Sequence, residues 1–219
     1  MTRLAVAAAV VAATLIVPAT ARAIGGPYVV TGGTAAERRS VTAALDASSF
    51  DWNAVPAKIA VHVVRGADSF STRGEIWLDA DLLDAGKFAW GVVQHEYAHQ
   101  VDYFRFDDAI RARFLQLLGA SEWCYGATLE HPHAAYGCER FASTLAWAYW
   151  QSPSNCMKPA ALGAESGALA PAAFRALLQS LLGPGAGPGA AGAAGAAGAR
   201  RYTMSVRGRA ASASAAARP

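Results

Sequence analysis

Residues 87–104 read KFAWGVVQHEYAHQVDYF, and this stretch decides how the rest of the chain is read. Phe88, Val92, Val93, Tyr97 and Val101 recur near helical spacing and give the segment an apolar side. Within it stands His95-Glu96-Tyr97-Ala98-His99. On an α-helix, positions i and i+4 lie one turn apart on the same side. Two imidazoles so placed can bind one zinc ion at about 2.0–2.1 Å each. Glu96, next to the first, is placed to take a proton from an attacking water and later pass it to a leaving group. A chain of this composition should hold only about 0.004 such His-Glu-x-x-His patterns by chance.

A catalytic zinc takes three protein ligands and keeps a fourth position open. A longer histidine motif would need glycine at position 102 and histidine at 105; Asp102 and Arg105 stand there, which excludes it. The downstream acids include Glu122, Glu130, Glu139 and Glu165. Glu139 is favoured as third ligand because it opens a predicted helix that runs to about Trp150 and can aim its carboxylate. Glu122 and Glu130 fall in a predicted loop over 120–137, and Glu165 in a Gly/Ala-rich stretch.

Working outward from the motif, Thr34-Ala35-Ala36-Glu37 has capping-box spacing and predicts a helix to about Ala47. Lys58 to Val64 alternates and is rich in β-branched residues, which predicts a strand. Arg65 to Arg73 reads as a polar turn, and Gly74 to Asp79 as a second short strand. Asp107 or Asp108 caps a further predicted helix, with Ile110, Phe114, Leu117 and Leu118 inward and Gly119 ending it. Pro171 opens a last helix to Leu182. One helix, two strands, then mostly helices is the order of an α+β domain: a small sheet near the N-terminus and a helical C-terminal half.

The ends differ from this core. Arg3, the apolar run Leu4 to Val17, Pro18 and the small-x-small Ala21-Arg22-Ala23 predict a signal peptide over 1–23 and hence a secreted protein. The run is shorter than the roughly 20 residues that span a bilayer, so stable membrane insertion is not expected. A folded domain is expected over 24–183. Residues 184–219 are dominated by Gly, Ala, Pro and Ser and predict a disordered tail. Without the arginines of both ends, twelve basic residues face sixteen acidic ones in residues 24–183. A core of that charge does not predict nucleic-acid binding. Of three cysteines, Cys124, Cys138 and Cys156, one disulfide is expected in an exported chain. Three pairings are open, and Cys124–Cys138 is preferred because it would close the loop leading to Glu139.

HEYAHQVD followed some forty residues later by ERFAS resembles the gluzincin group of zinc metallopeptidases, in particular its small secreted bacterial members. The resemblance spans roughly residues 74 to 150. It implies a zincin-like fold with His95, His99 and Glu139 as zinc ligands and Glu96 as general base. It also implies that Asp102 orients a ligand, and that Glu75–Asp79 is an edge strand pairing with extended substrate. Such enzymes often stabilise the oxyanion with a Tyr or His. Tyr136 is the chosen candidate here, with His131 and His133 as alternatives. The expectation is therefore a secreted, monomeric, zinc-dependent hydrolase of peptide or protein substrates. Two other readings stay open: a zinc-binding or cell-envelope interaction module without turnover, and a peptidoglycan amidase.

Overall fold

A computed structural model describes residues 27–124, 131–160 and 164–183 of the chain. The expected signal peptide, the tail after Gly183, and Glu130 lie outside these residues. The described chain is mixed α/β: four strands in one small sheet and six helices, compatible with the α+β expectation. No helix among the described residues is long and apolar enough to cross a membrane.

Strand β1 (Tyr28–Gly32) leads through Gly32 and Gly33, both at positive φ, into helix α1 (Ala35–Ala47). A side chain at Gly32 would put its Cβ 2.4 Å from the Val63 carbonyl oxygen, so the turn needs glycine for space as well as for φ. The predicted capping box is present. The Thr34 side chain accepts from Glu37 N–H, and the Glu37 carboxylate accepts from Thr34 N–H at 2.6 Å. Strand β2 (Ile59–Val64) then pairs parallel with β1, so β1, α1 and β2 form a crossover unit.

Strands β3 (Phe70–Thr72) and β4 (Glu75–Asp79) complete the sheet in the order β1-β2-β4-β3. Two expectations are corrected here. Part of the stretch assigned to a polar turn is strand β3, which pairs antiparallel with β4. Three residues, two of them Ser and Thr, carry no periodicity of their own; the pairing makes the strand. Glu75–Asp79 is not an edge strand: β4 lies between β2 and β3, and β3 takes the edge. β1 was also not expected, because five residues ending in glycine give too little alternation without their parallel partner.

One sheet face presents Ile59, Val61, Val63, Ile76 and Leu78 to the helices, all buried. The other carries a row in register across the strands, Thr31, His62, Trp77 and Phe70. The His62 and Trp77 rings stack at 5.1 Å, and those of Trp77 and Phe70 at 4.5 Å. Such cross-strand ring pairs fix register.

After the short helix α2 (Ala80–Leu83) comes α3 (Lys87–Arg105), the axle of the fold. Its sequence pattern predicts one apolar side, yet Gly91 through Asp102 are all buried. Its two glutamines in this stretch donate to backbone: Gln94 to Ala44 O at 2.7 Å, and Gln100 to Thr72 O at 2.9 Å while accepting from Gly74 N–H. A buried polar group that is hydrogen-bonded costs little. Helices α4 (Asp108–Leu118), α5 (Gly137–Tyr149) and α6 (Pro171–Leu182) complete the C-terminal half. Asp107 caps α4 and Gly119 closes it in the left-handed region, as the sequence predicts. Phe106, Phe114, Phe141 and Phe174 join α3, α4, α5 and α6 through ring contacts of 4.7 to 5.8 Å.

Gly91 fixes how closely the loop after α5 approaches α3. A Cβ there would lie 2.3 Å from Asn155 Oδ1 and 2.7 Å from Cys156 Sγ. Asn155 cannot retreat freely, because it donates to Ala146 O and Trp150 O and accepts from Met157 N–H. Gly91→Ala should therefore destabilise by about 1–3 kcal/mol, as overpacking does. Thermal denaturation checks this; an unchanged midpoint would mean that the loop yields at no cost.

Candidate metal centre

The two motif histidines leave α3 on the side that faces α5, and Glu139 leaves the first turn of α5 toward them. All three are buried. Glu139 Oε2 lies 2.9 Å from His95 Nε2 and 3.4 Å from His99 Nε2, and the two Nε2 atoms lie 3.1 Å apart. Helical spacing on α3 and the docking of α5 thus bring the three sequence-predicted ligands together. His133, in a single 3-10 turn (His133–Ala135) ahead of α5, adds a third imidazole: its Nε2 lies 2.6 Å from Glu139 Oε2. His95, His133 and Glu139 form a group able to hold a metal ion, as do His99, Cys138 and Glu139 by position. Cys138, however, is disulfide-bonded to Cys124, the preferred pairing, so it offers no thiolate. Cys156 lies outside that disulfide.

Glu165 stands behind this cluster. Its Oε2 accepts from His133 Nδ1 at 2.9 Å, and its Oε1 accepts from the Ser143 hydroxyl. Ser143 Oγ in turn lies 3.0 Å from His95 Nδ1. A carboxylate only accepts, so His133 carries its proton on Nδ1. The Ser143 proton goes to Glu165, so His95 Nδ1 must donate to Ser143. One carboxylate thereby holds both rings with Nε2 facing Glu139. Ligating histidines are held in this way.

Charges follow from the crowding. Burial opposes the ionised form of Glu139, but the histidine charges and hydrogen bonds around it hold its carboxyl well below the usual carboxylate range. Burial likewise opposes a charged His133, yet Glu139 and Glu165 overcome it and push His133 up to about 10. In the metal-free protein a proton therefore serves as the cation of the cluster. His99 is also raised, by Glu139, Glu96 and Asp102 against its burial.

Glu96 sits beside the ligands. Burial pushes its carboxyl up, while the His95 and His99 charges pull it down. The Ser71 hydroxyl reaches both Glu96 Oε2, at 3.0 Å, and the Glu96 carbonyl oxygen, at 2.7 Å. Glu96 Oε1 has no hydrogen-bond partner among the described residues. A buried carboxylate with one oxygen held and the other free is arranged for proton transfer.

The remaining sequence candidates take other places. Asp102 is fully buried; it accepts from Arg111 Nε at 2.9 Å and Trp123 Nε1 at 3.1 Å, pinning α4 and the following loop to α3. Tyr136 is buried at the start of α5, and its hydroxyl accepts from His131 N–H at 3.3 Å. His131 itself is exposed, and the Glu122 backbone bridges to Tyr136. A comparison with protein families, curated proteins and solved structures finds no match. Sequence reasoning missed Ser71, Ser143 and Glu165 as supports. Only Ser143 carried a signal: four residues after Glu139, it shares a helix face with it.

Proposed function

We propose that the chain is a secreted zinc-dependent hydrolase of peptide bonds, of gluzincin type, with His95, His99 and Glu139 as ligands and Glu96 as general base. One observation carries this reading: two imidazole nitrogens and a carboxylate oxygen gather within 3.4 Å, with the Glu96 carboxyl buried beside them. Nitrogen and carboxylate donors at such spacing suit zinc. When bound, zinc would polarise the scissile carbonyl and make water a usable nucleophile near neutral pH. The chain's own residues do the rest. Glu96 Oε1 takes the proton of the attacking water, and Ser71 keeps the other oxygen from turning away. The proton then passes from Glu96 to the leaving amine. Substrate backbone would pair along β3, the edge strand that carries Ser71. Tyr136 is retained as a candidate for steadying the oxyanion.

The test uses one sample of purified full-length chain for metal analysis, a peptide library and a peptidoglycan digest. One zinc per chain is expected, with peptide cleavage that a chelator abolishes and zinc restores. Cleavage of peptidoglycan stems alone would favour the amidase. Zinc without any hydrolysis would favour the interaction module, a reading that His133 keeps in play as an additional donor.

A further inference from the structure

We propose that His133 is a fourth protein ligand of the same metal ion, clamped in place by Glu165. The proposal rests on the metal centre read above. No recognisable spacing joins His133 to residues 95–99, so this part is not legible in the sequence.

His95, His133 and Glu139 form one group able to hold a metal ion, and His99 adjoins it through His95 and Glu139. For bonds of about 2.0–2.1 Å, a tetrahedral ion spaces its donors about 3.3 Å apart. The separations here are 2.6 Å for His133 to Glu139, 2.9 Å for His95 to Glu139, 3.1 Å for His95 to His99 and 3.4 Å for His99 to Glu139. Each of these four lies within about 1 Å of that spacing. His133 also has the second feature of a ligand. Its Nδ1 donates to Glu165 at 2.9 Å, so Nε2 is the nitrogen left to bind a metal, and it faces Glu139 Oε2. In the metal-free protein a proton lies between these two atoms at 2.6 Å, and a metal ion would take its place. Glu165 lies in a segment that holds no regular helix or strand, yet it is buried, and both of its oxygens are committed to the cluster, one to His133 and one to Ser143 behind His95. A single carboxylate tying two rings together makes sense when both rings face the same ion.

The consequence is a shell of three imidazoles and one carboxylate. Four protein donors would fill the position that a three-ligand hydrolytic site keeps open, so turnover there would require zinc to accept a fifth group.

Full-length wild type, His133→Ala and Glu165→Gln should be compared by zinc competition against a chromophoric chelator, and by the visible spectrum of the cobalt(II)-loaded proteins. Circular dichroism checks that each is folded. His133→Ala should weaken zinc binding by about 100-fold or more, and Glu165→Gln by about 10–100-fold, the usual effect of losing a carboxylate behind a ligating histidine. The cobalt bands of His133→Ala should shift as a nitrogen donor is replaced. Glu165→Gln keeps the shape of the site and so reports even if the alanine variant folds poorly. Wild-type affinity and an unchanged cobalt spectrum in His133→Ala would overturn the fourth ligand while leaving the three-ligand reading standing. The same holds if that variant loses only turnover, since His133 would then act on substrate. A wild type that takes up no zinc would overturn both readings together.

Discussion

Glu96→Gln should yield a folded, zinc-loaded protein whose hydrolytic rate has fallen by about 10²–10⁴-fold, the usual cost of a lost general base. The amide keeps the size of the side chain and can still accept from Ser71, so the packing around residue 96 should hold. It cannot take a proton at Oε1, the oxygen without a partner among the described residues. Zinc content should not change, because Glu96 stands beside the ligand cluster and not in it. The measurement is kcat/KM on whichever peptide the library yields, with metal analysis of the same sample. Activity retained by the zinc-loaded variant would move the base elsewhere. Ser71→Ala should act in the same direction with a smaller effect, since it removes only the restraint on Glu96.

The sequence made the ligand trio legible because its chemistry is local. His95 and His99 are one helical turn apart, and Glu139 sits in the first turn of another helix, so two periodicities suffice to find them. The capping box of α1, the caps of α4 and the proline start of α6 are equally local, and all are where the sequence puts them. What escaped was non-local. β1 and β3 exist through partners far along the chain, and their own composition is too short or too polar to announce a strand. The site is affected too: with 65–73 patterned like a turn, β4 looks like the edge strand and nothing in the sequence places Ser71 beside Glu96. Glu165 was set aside for its Gly/Ala-rich surroundings. Burial against His133 and Ser143, not helical context, is what makes it part of the centre. Asp102 shows the opposite case, a motif residue whose visible contacts secure the packing of α4.

Glu139→Ala and Glu139→Gln should both lose zinc, by more than about 100-fold in affinity, because they remove a direct donor and not merely a supporting one. Glu139 Oε2 is the one oxygen that all three histidines approach, at 2.9, 3.4 and 2.6 Å. It is also the anion that neutralises them. The metal-free proteins therefore add a test that needs no zinc. Glu139 has a depressed folded value, so its contribution to stability is present above about 4.5 and is lost as pH falls through that depressed value. His133 is raised to about 10, so its contribution is full below about 6.5 and is lost as pH rises toward 10. Both contributions are present together between those two ordinary values. In chelator, the stability gap between wild type and Glu139→Gln should be widest from about pH 4.5 to 6.5 and shrink on either side. Chemical denaturation at several pH values measures it. A gap that does not vary with pH would mean that Glu139 matters to the fold by shape alone. Zinc bound equally well by Glu139→Ala would show that the ion, if held by α3, takes its third donor elsewhere.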